Sequence, residues 1–253
     1  MASKVTECEL PFGDMGGGAL EQFTEQERKR ERLQFRNAER VQTTIVTSIE
    51  KRVLQWLAER MPSWVNSDHL TALGFAAQFM VGVSYALSAG NKNWLWAASF
   101  FLAVNWFGDS LDGTLARYRN RQRPRYGFYL DHVIDTFGSI FLCAGLALSG
   151  FMSPMIAMML LVAFLSLSIE VYLATYCIGK FQLGHFLLGP TEIRLILGIG
   201  NVALIHHARV HFLGAEYLLF DLGGVTAAVG MFAMLIISGI RHTAVLYREE
   251  RLP

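Results

Sequence analysis

The chain has 253 residues, of which 53% are hydrophobic and 17% charged, with a mean hydropathy of +0.33 and a formal net charge of +1. That is enough chain for one sizeable domain and too oily for an ordinary soluble one, so an integral membrane protein is the first reading. The balance of charge gives no reason to expect a nucleic-acid partner. Cys8, Cys143 and Cys177 have no metal-type spacing, and two of them fall in apolar runs.

Residues 1–24 are Gly-rich and aperiodic, which predicts a flexible segment. They lack the basic stretch followed by an apolar one that marks a secretory signal, so targeting is expected to rest on the first span. Residues 25–40 form a charge run expected to be a solvated helix. Val41, Ile45, Ile49, Val53 and Leu57 then recur every four residues, with Glu50, Lys51 and Arg52 on other faces, which predicts an amphipathic helix. With Trp56 and Trp64 as interfacial anchors it could lie in the headgroup plane of the cytoplasmic leaflet. It could equally pack on the domain's own cytoplasmic face.

Six stretches are candidate membrane helices: about 69–89, 93–112, 131–150, 153–178, 191–206 and 218–240. Residues 157–169, AMMLLVAFLSLSI, are the most apolar and carry no charge. Lys and Arg concentrate before residue 61, in the 117–125 connection and after residue 240, while the opposite connections carry mainly Lys92 and Arg209. This bias predicts both termini and the 117–125 connection on the cytoplasmic side. The expected fold is therefore all-α: an integral membrane bundle of six transmembrane helices behind an N-terminal amphipathic interfacial helix. It divides into a flexible segment (1–24), charged and amphipathic juxtamembrane helices (25–66), a transmembrane domain (67–243) and a cytoplasmic tail (244–253).

Residues 108–138, GDSLDGTLARYRNRQRPRYGFYLDHVIDTFG, place four aspartates and five arginines between two oily runs. An unpaired charge at the bilayer centre costs about 2.5–3.5 kcal/mol, so these carboxylates must be neutralised or sit near water. At helical spacing Asp109, Asp112, Gly113 and Ala116 share one face, and Asp131 and Asp135 stack at i and i+4 on the next helix. A short return between the helices is expected to bring the two carboxylate ladders face to face near the cytoplasmic end. Four oxygen-donor side chains suit Mg²⁺, Mn²⁺ or Ca²⁺ better than zinc, and two divalent ions would balance them. Gly113, Ala116 and Gly127 would let a bulky phosphate-bearing ligand approach the backbone. Pairing of the aspartates with the nearby arginines is the bland alternative. A divalent-cation transporter is the rival from another class, but it would need a polar path through spans that are apolar at 70–89 and 153–169.

The same stretch resembles the signature of the CDP-alcohol phosphotransferases: Asp-x-x-Asp-Gly-x-x-Ala-Arg, then eight or nine residues, then Gly-x-x-x-Asp-x-x-x-Asp. Asp109, Asp112, Gly113, Ala116, Arg117, Gly127, Asp131 and Asp135 occupy its eight fixed positions. The resemblance implies a six-helix membrane fold, commonly a homodimer, with two metal ions, Mg²⁺ or Mn²⁺, on the pyrophosphate of a CDP-linked alcohol. It further implies attack by a second alcohol's hydroxyl with release of CMP, and a lipid as one substrate or product. By position, Asp109, Asp112, Asp131 and Asp135 would hold metal, and Asp135 would also be the candidate base. Gly113, Ala116, Arg117 and Gly127 would line the nucleotide. Where many members carry Pro-Asn-x-x-Thr before the first span, this chain has Ser67, Asp68 and Thr71 in SDHLT.

Within that family three short features resemble the choline and ethanolamine branch: His132 after Asp131, EVY at 170–172 and GPTE at 189–192. Glu170 or Glu192 could serve as counter-charge to an ammonium headgroup, with Tyr172 as an aromatic wall. His132 could act as a base or hydrogen-bond a neighbouring carboxylate. Glu192 equally suits the first turn of a helix behind Pro190. Arg194 instead suits an acceptor phosphate, and Lys180 could bind lipid phosphate. The sequence therefore leans to CDP-choline or CDP-ethanolamine with diacylglycerol. Transfer from CDP-diacylglycerol to a small alcohol or alcohol phosphate is the alternative.

Overall fold

The computed structural model describes residues 45–178, 189–212 and 214–250. The expected flexible segment, the charge run, Val41, Lys180 and Arg251 lie outside the described residues.

The described residues form seven helices: α1 Ile45–Arg60, α2 Ser67–Ser88, α3 Trp94–Tyr118, α4 Pro124–Leu148, α5 Pro154–Ile178, α6 Pro190–His206 and α7 Leu219–Glu249. Between α6 and α7 the chain makes an antiparallel hairpin, β1 Arg209–Phe212 with β2 Ala215–Leu218, register Arg209↔Leu218. The all-α expectation missed this hairpin. Its signal is four residues either side of Leu213-Gly214, and Gly214 sits at φ +83°, a conformation glycine adopts without steric cost.

Among the described residues four helices, α2, α4, α5 and α7, are long and apolar enough to cross a membrane. The other two expected spans, α3 and α6, are not in that set. Helix α3 has the length, 25 residues, but carries Asn105, Asp109, Asp112 and Arg117. Helix α6 has 17 residues, roughly 26 Å at 1.5 Å per residue against a hydrocarbon core of about 30 Å.

Helix starts follow local chemistry. Pro124 and Pro190 open α4 and α6, where a missing N–H costs nothing. Helix α3 ends at Tyr118, and just beyond it Asn120 takes φ +54° while Arg121 N–H donates to the Ala116 carbonyl at 2.9 Å. Asparagine tolerates that left-handed geometry, and the chain turns into α4 within a few residues.

Helix α2 is the central post, with α3 against one side and α4 against another. Its approach to α3 is at backbone contact, where Gly108 faces Gly74. Its approach to α4 is equally close, where Gly145 meets the backbone of Gly82. Helix α4 also packs on α5, α5 on α7, α3 on α6, and α1 on α3. One apolar core, including Val81, Leu95, Leu102, Leu146 and Leu204, fills the middle of the bundle. A second, of Leu54, Ala58, Val65, Leu70, Leu111 and Leu115, lies beneath α1. The α1 helix thus buries Leu54 and Ala58 against the bundle while Val53 and Trp56 stay exposed.

Candidate active site

Because α2 stands between them, α3 and α4 make little direct contact. The expected pair of facing carboxylate ladders is therefore opened into a cleft. The cleft holds about 220 Å³, and its walls include Ser67 and Thr71 from α2, Asp112, Gly113, Ala116 and Arg117 from α3, and Gly127 and Asp131 from α4. Six of the eight signature positions thus line one space.

The signature residues differ in environment. Asp112 is 8% exposed, with Leu111 and Leu115 of the second core on either side of it in sequence. Its Oδ2 accepts from the Thr71 hydroxyl at 2.6 Å, its Oδ1 from Gly113 N–H at 2.5 Å, and its carbonyl from Ser67 Oγ at 3.0 Å. Asp109 and Asp131 lie within electrostatic reach of it. Asp109 is held by Arg194 of α6, whose Nη2 donates to Oδ2 at 2.6 Å while Nε donates to Asn105 Oδ1 at 2.8 Å. Asn105 in turn donates to the Gly74 carbonyl at 2.9 Å, joining the pair to the α2–α3 crossing. The remaining guanidinium nitrogen, Arg194 Nη1, is buried and has no hydrogen-bond partner among the described residues.

On α4, Asp131 and Asp135 are exposed. Asp135 lies within electrostatic reach of Tyr172 on α5, and the Tyr172 ring meets His132 edge-on at 4.7 Å. His132 Nδ1 donates to the Phe128 carbonyl at 2.5 Å. Tyr172 and His132 are thus brought together, whereas Glu170 turns to α7 and accepts from His242 Nδ1 at 2.6 Å. Glu192 lies in the first turn of α6 behind Pro190.

Arginines stand around the cleft. Arg117 Nη2 donates to Thr114 Oγ1 at 3.1 Å, and its guanidinium is 3.5 Å from where a side chain on Gly113 would begin. Arg123 pairs with Asp68 and lies over the Tyr126 ring at 4.2 Å. Arg119 donates to the carbonyls of Met61, Pro62 and Val65, stapling the link between α1 and α2. Asp109 takes its arginine from α6, outside the 117–125 connection, while Arg123 of that connection pairs with Asp68.

The donor set is all oxygen and acidic, which suits a hard divalent cation in kind. Among the described residues no three such side chains close on a common point, because α3 and α4 stand apart across the cleft. Sequence reasoning missed Asn105 and Glu50 as neighbours of the site. Asn105 was findable, four residues before Asp109 on the same face. Glu50 was not, since a glutamate on the polar side of an amphipathic helix reads as solvated.

The sequence pattern of the CDP-alcohol phosphatidyltransferase family matches residues 64–237. Over 84 residues, 33% of this chain, there is 36% identity to a phosphatidylinositol phosphate synthase of Cutibacterium acnes (strain DSM 16379 / KPA171202); the match spans 38% of that protein's length. With the family match covering α2 to most of α7 and the signature lining one cleft, the chain belongs to the CDP-alcohol phosphatidyltransferase family.

Proposed function

We propose that this protein is an integral membrane phosphatidyltransferase that uses CDP-diacylglycerol and a small acceptor alcohol carrying its own phosphate. The acceptor hydroxyl oxygen would form a bond to the phosphatidyl phosphorus, the bond from that phosphorus to the CMP oxygen would break, and the hydroxyl proton would pass to a base. CMP leaves and the phospholipid stays in the membrane.

The observation that carries the choice of acceptor is Arg194. It is anchored beside Asp109 by two of its nitrogens, while the third is buried without a partner. A buried donor left unpaired costs about 1–3 kcal/mol, which a phosphate oxygen would recover. Arginine's planar fork suits phosphate. The relative that makes a phosphatidylinositol phosphate supports the same choice.

In this reading Asp109, Asp112 and Asp131 would hold Mg²⁺ or Mn²⁺, and with Asp135 completing the site two ions would balance the four carboxylates. The metal supplies charge stabilisation at the phosphoryl oxygens. Thr71 and Gly113 N–H orient the Asp112 carboxylate, and Gly113, Ala116, Arg117 and Gly127 form the nucleotide wall. Asp135 is the candidate base, with His132 second. Six spans, a cytoplasmic active site between cytoplasmic termini, the 67–243 domain and a homodimer complete the proposal.

The second reading is transfer of phosphocholine or phosphoethanolamine to diacylglycerol. It is favoured by the edge contact of Tyr172 with His132 beside Asp135, which could form a wall for an ammonium group. Glu170, its proposed counter-charge, already has His242 as partner. The deciding experiment measures CMP release by the purified protein with Mg²⁺. Turnover of CDP-diacylglycerol with alcohol phosphates supports the first reading; turnover only of CDP-choline or CDP-ethanolamine with diacylglycerol replaces it with the second.

A further inference from the structure

Glu50 lies on α1, outside the signature, yet one of its carboxylate oxygens gathers three donors from two other helices. Oε1 accepts from the Trp106 indole N–H at 2.7 Å, the Thr191 hydroxyl at 2.8 Å and the Ser110 hydroxyl at 3.4 Å. Trp106 and Ser110 are on α3 and Thr191 is in the first turn of α6.

These contacts run alongside the Arg194 pair. Trp106 and Ser110 directly follow Asn105 and Asp109 in sequence, and Arg194 comes one helical turn after Thr191. The same two helices are therefore joined twice within one turn: by Arg194 to Asn105 and Asp109, and by Glu50 to Thr191, Trp106 and Ser110. The second join passes through α1.

We infer that Glu50 is a positioning residue, which keeps the N-terminus of α6 in register with α3 so that Arg194 reaches Asp109. Among the described residues, helix α6 packs mainly on α3 and only slightly on α7. Loss of the Glu50 oxygen would leave Trp106, Ser110 and Thr191 without their shared acceptor, and α6 free to shift along α3. All three partners are donors, so what the site requires is an acceptor at that point. A glutamine carbonyl would supply one and an alanine would not. This inference rests on the reading of Arg194 as an acceptor-site residue for its kinetic consequence, and on geometry alone for the coupling.

The test is a double-mutant cycle on the purified full chain, with Glu50→Ala, Glu50→Gln, Arg194→Ala and Glu50→Ala/Arg194→Ala. Both the KM for the phosphorylated acceptor and the thermal midpoint in detergent are measured. Glu50→Ala is expected to raise the acceptor KM roughly fivefold or more, as expected for loss of a hydrogen-bonded support. Glu50→Gln should stay within about twofold of the parent, since the acceptor is kept. In the Arg194→Ala background, Glu50→Ala should add nothing further to KM, because its effect runs through Arg194. Multiplying effects, or an unchanged KM in Glu50→Ala, would overturn the inference. If no alcohol phosphate is a substrate, the proposed acceptor is wrong while the thermal cycle still decides Glu50. Non-additive midpoint losses support the coupling, and strictly additive ones reject it.

Discussion

Replacing Gly108 by alanine should separate two kinds of glycine in this protein. A side chain at Gly108 would begin 2.6 Å from the Gly74 nitrogen, 2.6 Å from the Leu70 carbonyl oxygen and 2.8 Å from the Gly74 Cα, all of it α2 backbone. Ordinary contact begins near 3.4 Å, so α2 and α3 would have to part locally by about 0.8 Å (3.4 less 2.6). Overpacking costs about 1–3 kcal/mol, with backbone obstacles at the upper end because they cannot rotate away. Alanine recovers about 1 kcal/mol of helix propensity, leaving a net loss of about 1–2 kcal/mol. At roughly 2–4 °C per kcal/mol for a chain of this size, the thermal midpoint should fall by roughly 2–8 °C. CMP release should fall with it, because the same crossing sets the 2.6 Å bond from Thr71 to Asp112. Gly127→Ala is the counterpart: nothing lies within 4 Å of the new methyl group, so the midpoint should hold or rise. Gly127 lines the cleft, so turnover should drop as the nucleotide meets the methyl group. Thermal melts in detergent and CMP release read both. A Gly108→Ala protein as stable and active as the parent would refute the close-crossing argument.

Asp112→Asn and Asp135→Asn should each lose nearly all CMP release while the protein still inserts and purifies; retained turnover in either would remove that residue from the metal and base assignments. Thr71→Val keeps the shape but removes the hydroxyl from Asp112, a bond to a charged group worth about 1.5–3 kcal/mol, so kcat/KM should fall about tenfold to a hundredfold. Thr71→Ser should retain most of it, and equal loss in both would count against the hydroxyl as the reason. Glu170→Gln breaks a carboxylate–imidazole pair between α5 and α7, so its main effect should be a lower thermal midpoint. A raised KM for an aminoalcohol substrate with an unchanged midpoint would return Glu170 to the substrate site.

Much of the helix order was legible because apolar runs of bilayer length and Pro or Asn boundaries act locally. The hydrophobic stripe through Val53 and Leu57 marked α1, although its buried residues are Leu54 and Ala58. The stripe shows that one face must be covered, and it leaves open whether lipid or protein covers it. Helical period alone predicts carboxylates on facing sides of two helices, and Asp112 and Asp131 do line one cleft. What the period leaves out is α2, whose Gly74 and Gly82 let both neighbours approach to backbone contact and so set how far the two helices stand apart.

The sequence by itself determined which residue types share a helix face and where charge interrupts oil, because helical period and the cost of charge in hydrocarbon depend only on neighbours along the chain. It therefore singled out the two carboxylate-bearing faces, and the family resemblance completed the eight signature positions. Only the tertiary structure decided who meets whom at long range. Arg194 reaches Asp109 across 85 residues of sequence, Glu50 reaches Thr191 across 141, and Glu170 is turned to His242 across 72. Such pairings depend on how helices rotate and cross, and that is set by small residues at the crossings and by packing summed over the whole bundle.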